Sequence, residues 1–261
     1  MSGLAVKISV ITVCCNAAAT IASNLQSVAR QGYPHVEHII VDGASNDGTV
    51  EIVRRHADLV DHWVSESDAG IYDAMNKGIA MAKGDVIGFL NADDVYAHDD
   101  VLSKVAEQFR DEDLDCCFAD LVFVKNDRVV RSYSSARFTP ERIAWGWMPA
   151  HPTLYVRRAL FEQFGMFKTD YRIAADYEFV ARVLGRHRCS YRYVPDVWVK
   201  MGMGGVSTRN WKSRWILNRE IVRGCRENGI RTNLFKVLSK FPLKLLELVR
   251  HEPAASGRGA S

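Results

Sequence analysis

The stretch Gly84-Asp85-Val86-Ile87-Gly88-Phe89-Leu90-Asn91-Ala92-Asp93-Asp94 decides how the rest of the chain is read. Val86, Ile87, Phe89 and Leu90 form an apolar run too short for a helix and of the length expected of a buried strand. Asn91, Asp93 and Asp94 follow at once. In an open α/β sheet, ligands bind beyond the carboxyl ends of the strands, so this strand delivers acid to a ligand-binding edge. Two carboxylates this close repel each other. A hard divalent cation held by oxygen ligands, and completed by water and substrate phosphates, relieves that repulsion. A plainer reading competes: Asn-Ala-Asp-Asp is also a turn sequence that can cap a helix opening near Asp99.

Working outward, residues 6–13 read as a first strand, with Ile8, Val10 and Ile11 apolar and β-branched. Asn16 is placed to cap a helix running to about Arg30, with Ile21, Leu25 and Val28 along one face. Residues 36–41 give a second strand, and Thr49 opens a helix ending near His56. Residues 59–64 give a third strand, and Ile71, Met75 and Ile79 mark a helix over 71–81. Four alternations of strand and helix predict a Rossmann-like, doubly wound, mainly parallel sheet. Parallel strands share one carboxyl edge, which gathers Asp42, Asp68, Asp73, Asp93 and Asp94. An acidic edge of this kind accepts a phosphate ester that carries its own cation. Lys77 and the start of the 71–81 helix offer positive charge for such phosphates.

After residue 110 the rhythm changes. Residues 116–124 and 129–133 suit a hairpin around Lys125-Asn126-Asp127-Arg128. An aromatic loop over 145–152 precedes helices at 158–164, closed by Gly165, and at 174–184, with Phe179, Val180 and Val183 inward. A strand over 191–201 ends in the turn 202–205.

With 48% hydrophobic and 25% charged residues in 261, the chain can bury a full core. A formal net charge of +3 is too small to argue for nucleic acid, although the basic excess gathers toward the C-terminus. The pairs Cys14-Cys15 and Cys116-Cys117 lie on strands, where neighbours point to opposite faces, so neither pair can grip a metal. No Cys-x-x-Cys spacing exists, which argues against zinc and for reduced thiols in the cytosol. The first residues do not fit a signal peptide, and no apolar run is long enough to span a bilayer. There is no Gly-x-Gly-x-x-Gly after the first strand and no Gly-Lys-Ser/Thr loop, which weakens dinucleotide and P-loop readings.

Three motifs in order carry a resemblance: Val41-Asp42-Gly-Ala-Ser-Asn-Asp-Gly-Thr49, Glu66-Ser-Asp68-Ala-Gly-Ile-Tyr72-Asp73-Ala-Met-Asn-Lys77-Gly78, and Gly84-Asp85 through Asn91-Ala-Asp-Asp94. Together they resemble family 2 glycosyltransferases of the GT-A fold, especially bacterial enzymes that assemble exopolysaccharide or lipopolysaccharide repeats. The match runs over roughly residues 6–207. It implies a nucleotide-binding half over 1–110 and an acceptor half over 111–207. It further implies a nucleotide-diphosphate-sugar donor, most simply a UDP-sugar, together with Mg2+ or Mn2+ and inversion at the anomeric carbon. The acceptor implied is a glycan or a lipid-linked glycan.

By the same resemblance Asp42 contacts the donor base, with Thr12 and the end of the first strand beside it. Asp42 also has a plain reading as a turn-former. The family's Asp-x-Asp falls on Asn91-Ala92-Asp93, so Asp93 holds the cation, Asp94 supports the metal site, and Asn91 is left to bond a ribose hydroxyl. Asn91 departs from the commoner Asp and adds no charge. Asp68, Tyr72, Asp73 and Lys77 would line the donor, while Asp73 and Lys77 equally suit a surface pair at i,i+4. The family's base opens a helix on the acceptor side, here Ile173-Ala-Ala-Asp176-Tyr-Glu178-Phe179. Inversion in one displacement needs a carboxylate that takes the acceptor's proton, which Asp176 supplies, with Glu178 and Asp170 as alternatives. Asp176 also has a plainer, less favoured reading as a capping carboxylate. His151 sits where the family places a loop near the acceptor, with a packed loop histidine as an equal reading. Trp147 and Trp145 suit stacking on sugar rings or, more commonly, plugging the core, and Gly204-Gly205-Val206-Ser207 resembles the family's closing loop.

Residues 208–252 form a basic extension predicted to be helical. Leu234, Leu238, Phe241, Leu245 and Leu248 recur at helical spacing, with Lys236, Lys240 and Lys244 opposite and Pro242 breaking the stripe. Arg209, Lys212, Arg214, Arg219, Arg223 and Arg226 lie upstream, with Trp211 and Trp215 among them. This pattern suits the surface of an anionic membrane, and equally a stripe packed on the catalytic domain. The setting expected is cytoplasmic, peripheral at the inner face of the cell membrane, with a disordered tail over 253–261. Two rivals stand beside the transferase reading. A sugar nucleotidyltransferase would carry a Gly-rich basic loop where Cys14-Cys15-Asn16-Ala17 stands. A non-catalytic nucleotide-sugar-binding subunit is favoured by Asn91 alone.

Overall fold

The computed structural model describes residues 5–126, 128–202 and 211–239. Every residue of β1 (Ile8–Cys14) is buried, which requires an inner strand covered on both faces. It pairs in parallel with β2 (Val36–Asp42) on one side and β4 (Val86–Phe89) on the other, and β3 (His62–Ser65) extends β2 in parallel. Beyond β4 the sheet becomes mixed. Two strands of three residues, β5 (Asp94–Tyr96) and β8 (Tyr155–Arg157), join β6 (Cys116–Lys125), its hairpin partner β7 (Arg128–Tyr133) and β9 (Tyr191–Gly202). The order is β3-β2-β1-β4-β8-β6-β9-β5, with β7 on β6, making one nine-stranded sheet among the described residues.

Helices cover both faces, as the alternation predicts. Ile8 and Val10 pack against α1 (Ile21–Ala29) and α4 (Val101–Gln108), and Cys14 and Ile40 meet α1 and α2 (Thr49–Arg55). Ile11 and Val13 point the other way, into a core shared with α3 (Ile71–Met81), α5 (Arg158–Phe164) and α6 (Ala175–Val180). The helix expected over 174–184 is divided: α6 runs on into a π-helical turn, Ala181–Arg186. Cys116 and Cys117 face opposite cores as free thiols.

Two helices of the basic extension belong to the same core. Ile221, Val222 and Cys225 of α7 (Trp211–Glu227) and Val237 of α8 (Leu234–Leu238) are buried in it. The inward positions of α8 are therefore 234 and 237, while Leu238 lies at the edge and Phe235 is 86% exposed. Phe241, Leu245, Leu248, the 204–207 loop and the tail lie outside the described residues.

Asn16 does not cap α1. It adopts a left-handed φ of 52°, which asparagine tolerates, and its Oδ1 accepts from the Asn46 N–H at 3.0 Å. The helix begins only at Ile21, after a turn over 17–20. A buried polar trio ties α1 to the sheet: the Thr12 hydroxyl lies 3.2 Å from Asn24 Oδ1 and 3.0 Å from His38 Nε2.

Gly78 of α3 lies against β1, where an added Cβ would meet the Ile11 methyl. Alanine normally gains about 1 kcal/mol over glycine in a helix, but overpacking a β-branched core residue costs about 1–3 kcal/mol. Gly78→Ala is therefore expected to lower the urea midpoint despite its helix propensity. Burial pushes the His38 imidazole down to about 3. Between pH 6.5 and 3 the unfolded chain binds the proton that the folded chain refuses, so stability falls as the solution is acidified. His38→Gln should remove this loss, which amounts to at most about 1.4 kcal/mol per pH unit, in urea titrations across that window.

Candidate active site

Beyond β4 the Leu90 N–H still bonds Ile11 O at 3.0 Å, and the chain then turns through Asn91–Asp94, closed by Asp94 N to Asn91 O at 2.9 Å. The buried Asn24 amide holds both ends of the turn, donating to Asn91 O at 2.9 Å and Asp94 O at 3.0 Å. On its far side Asp94 pairs with Met201 in the β5–β9 ladder, and Gly202 lies so close that a Cβ there would stand 3.0 Å from Asp93 O. The turn is thus fixed from two directions, with Asp93 exposed and Asp94 fully buried.

Asn91 Nδ2 donates to Asp94 Oδ2 at 3.2 Å, which leaves Asn91 Oδ1 and Asp94 Oδ1 buried without a donor. Burial first, and the Asp93 charge second, push the Asp94 carboxyl up to about 8. Two undonated oxygens beside an exposed carboxylate form a hard, all-oxygen donor set that suits a divalent cation. The described residues contain no group of three or more His, Cys, Asp or Glu placed to enclose a metal. Water and ligand phosphates would have to complete the shell.

The next loop shows how two expected donor residues are already engaged. The Asp42 carboxylate is buried and already accepts from Ser45 N at 2.9 Å, Ser45 Oγ at 2.5 Å and Ser65 Oγ at 2.7 Å. It shapes the loop after β2, which is its plain reading as a turn-former. Thr12 is likewise buried on the α1 side, its hydroxyl committed to Asn24 and His38. Gly43 matters here because Asp68 Oδ2 lies 2.5 Å from where its Cβ would stand. The missing side chain admits the half-buried Asp68 carboxylate to the end of β2.

Asp68 Oδ1 accepts from Gly70 N at 2.9 Å and Asp73 Oδ2 from Ala69 N at 3.0 Å, so both carboxylates brace the start of α3. Lys77 does not offer the free charge expected of it. Its ammonium lies 2.8 Å from Glu66, 3.7 Å from Asp73 and 2.9 Å from Ser67 O.

Across the sheet, α3 carries Tyr72 and Asn76 one turn apart. Asn76 bonds both the N–H and the carbonyl of Phe167, at 3.0 and 2.8 Å. Tyr72, itself buried, directs its hydroxyl to Ile173 O at 2.5 Å and Asp176 Oδ1 at 3.1 Å. One proton is shared by two acceptors, so the half-exposed Asp176 keeps lone pairs for another donor. The ring of Phe89, which ends β4, stacks on His151 at 5.7 Å and meets Phe167 edge-on at 5.4 Å. These contacts join the strand bearing Asn91, Asp93 and Asp94 to the segment bearing Asp176.

Both ring nitrogens of His151 are buried without a partner. Burial holds the imidazole below its ordinary value, with the Asp176 charge acting in opposition. A cavity of about 320 Å³ opens beside Tyr72, between residues 69–73 and 169–172.

The alternative bases are engaged elsewhere. Glu178 is fully buried, held by Arg182 at 2.8 Å, Asn228 at 3.0 Å and Lys168 at 3.2 Å, so it cannot serve the acceptor side. Asp170 pairs with Arg223. Trp147 is half-exposed with the Arg142 guanidinium 5.5 Å over its ring.

Sequence reasoning missed Glu220 of α7, whose carboxylate accepts from the N–H groups of Arg172, Ile173 and Ala174 at 2.8, 2.9 and 2.9 Å. Nothing local announces it, because its partners lie 46 to 48 residues away. Charge-assisted bonds of this kind contribute about 1.5–3 kcal/mol each when partners are left unsatisfied. Glu220→Ala should therefore cost at least about 2 kcal/mol in urea unfolding and raise hydrogen exchange at residues 172–174. Unchanged exchange there would refute the clamp.

The family model for glycosyl transferase family 2 matches residues 9–173, stopping just before Asp176. A PGL/p-HBAD biosynthesis glycosyltransferase of Mycobacterium bovis is 32% identical over 194 residues, covering 71% of this chain and 73% of its own. Among solved structures, S. aureus TarS superposes with a TM-score of 0.66 at 21% identity, over 94% of this chain and 44% of that one. This chain therefore spans less than half of that structure. A 1–349 form of TarS was solved with UDP-GlcNAc. Mannosyltransferase PcManGT from Pyrobaculum calidifontis, solved with GDP-Man and Mn2+, gives 0.64 at 23% identity over 90% of this chain and 68% of its own. The curled, mainly parallel sheet is the GT-A fold of these neighbours, and with the family model and the mycobacterial relative in agreement, the chain belongs to glycosyltransferase family 2.

Proposed function

We propose that this protein is an inverting, metal-dependent glycosyltransferase in which Asp176 is the general base and the Asn91–Asp94 turn receives the cation of a nucleotide-diphosphate-sugar. The observation that carries the reading is the half-exposed Asp176 carboxylate, coupled through Tyr72, Phe167 and Phe89 to the strand that ends in that turn. The acceptor hydroxyl enters by the cavity beside Tyr72 and gives its proton to Asp176. Its oxygen bonds the anomeric carbon as the bond to the diphosphate breaks on the opposite face. Asp93 and Asp94, with Asn91 Oδ1 beside them, would hold a divalent cation, which would supply positive charge opposite the departing diphosphate. Neutral His151, with both nitrogens unpartnered, is placed to bond the sugar or the diphosphate, and Trp147 to meet the acceptor.

Asp68 takes over the donor-reading role expected of Asp42, its Oδ2 standing over Gly43 at the strand edge, with Asp73 bracing it. A UDP-sugar is the first donor to test and Mn2+ or Mg2+ the first ions, TarS and PcManGT supporting only the class. The acceptor in this reading is a growing or lipid-linked surface glycan; the mycobacterial relative's name supports a biosynthetic glycosyltransferase and no particular acceptor. A cytoplasmic enzyme working at the inner membrane face would meet such an acceptor. Among the described residues no helix is long and apolar enough to cross a membrane. A second reading, a non-catalytic nucleotide-sugar-binding subunit, is favoured by Asn91, which leaves one carboxylate fewer at the cation turn.

Thermal-shift screening against nucleotide sugars with and without Mn2+ identifies the donor. With it, Asp176→Asn should lose transfer by about 10²–10⁴-fold and keep donor binding. Asp93→Ala should lose the Mn2+-dependent part of donor binding. Transfer by Asp176→Asn at the wild-type rate places the base elsewhere, and no transfer by the wild type with binding intact favours the second reading.

A further inference from the structure

A second cavity, of about 390 Å³, lies at the opposite end of the α6 and π-helical run from Asp176. Ten residues separate Asp176 from Arg186, roughly 15 Å along a helix. Its walls bring together Arg186, Arg188 and Arg231, with Glu141 as the single carboxylate. Glu141 pairs with Arg188 at 2.8 Å. Arg186 and Arg231 have no ion-pair partner among the described residues. The walls are fixed: the Thr232 hydroxyl donates to Ala144 O at 2.5 Å, and Gly185 packs under Ile230. A pocket with a tied backbone frame and two exposed, uncompensated guanidiniums on its wall suits a phosphate group, which guanidinium binds in fork geometry.

The rim shows where that phosphate comes from. α8 packs on the Pro140–Trp145 turn that forms one wall. Together they expose Trp145 at 42%, Phe235 at 86% and Leu238 at 37%, with the Lys236 ammonium 5.5 Å over the Trp145 ring. Large apolar side chains left in water beside an excess of cations fit the headgroup layer of an anionic membrane, where the rings are buried and the charges stay at the surface. A soluble phosphate would gain nothing from that rim. From α8 the sequence continues with Lys240, Phe241, Lys244, Leu245, Leu248 and Arg250, the same mixture.

We infer that this cavity binds the phosphate of an anionic membrane lipid and seats the protein on the bilayer with Trp145 and Phe235 inserted. The inference deepens, and in its purpose rests on, the reading of a lipid-borne acceptor: it sets Asp176 about one helix length above the headgroups. Lipid binding itself does not require transfer. Phosphatidylcholine vesicles with and without phosphatidylglycerol are the probe, in co-sedimentation of the full chain. The wild type should bind only the anionic vesicles. Each basic residue at such a surface contributes about fivefold, so Arg186→Ala with Arg231→Ala should weaken binding about 25-fold. Phe235→Ser should weaken it as well, and donor-induced thermal shifts should stay at wild-type values in both variants as the control for folding.

Equal binding to neutral vesicles, undiminished binding by the double variant, or release by inorganic phosphate at constant ionic strength would overturn the inference. Loss of vesicle binding in the wild type with transfer intact removes this proposal alone. Absence of transfer with vesicle binding intact removes the proposed activity alone.

Discussion

One tyrosine hydroxyl spans the two halves of this protein. Tyr72 stands on the buried face of a helix that Met75, Gly78 and Ile79, on the same face, lock against β1, and it reaches Ile173 O and Asp176 on the acceptor side. Asn76, one turn on, fastens the same segment at Phe167. Because α3 cannot shift without disturbing the central strand, the position of Asp176 is inherited from the best-buried part of the fold. The Asn91–Asp94 turn inherits its own position from that strand too, through Leu90, Ile11 and the Asn24 amide. The two parts of the candidate site are thus referred to one rigid element, as positioning to well under an ångström requires.

Electrostatics divide the carboxylates into those that build and those that remain available. Asp42, Glu178 and Glu220 each accept several donors and hold loops or helices in place. Asp93 is exposed, Asp68 has one oxygen free at the edge, Asp176 shares a single proton, and Asp94 keeps an oxygen with no donor. Asp68, Asp93 and Asp94 follow strands whose carboxyl ends form the ligand-binding edge of such a sheet, and Asp176 reaches it through Tyr72. α7, which reads in sequence as part of a basic appendage, is tied through Glu220 to the segment just before Asp176 and through Asn228 to the buried Glu178.

The architecture was legible because its strong signals are local. The 71–81 helix, the hairpin around residue 126 and the apolar run before Asn91 all lie where periodicity and turn residues put them. The failures share a physical cause. β5 and β8, at three residues each, are too short to show any period and exist only by pairing with distant strands. β1 is buried on both faces, so nothing in its polarity reveals that Thr12 turns away from the cleft. Glu178 resembled a spare base although Arg182, one turn on, pairs with it; Lys168 and Asn228, which complete its neutralisation, come from elsewhere in the chain. Asp42 and Lys77 have the residue types of a donor site, and Ser45, Ser65 and Glu66 already engage them in this structure. A motif names the chemistry available; only tertiary contacts show which groups are already spent.

If Asp176 takes the acceptor proton while the diphosphate leaves on the opposite face, the sugar must change configuration at its anomeric carbon. The direct measurement is the anomeric coupling constant of the first-formed product, by proton NMR, set against that of the donor. An inverted linkage, β from an α-linked donor, is the predicted result; a product that retains the donor's configuration would contradict the single displacement and the role given to Asp176.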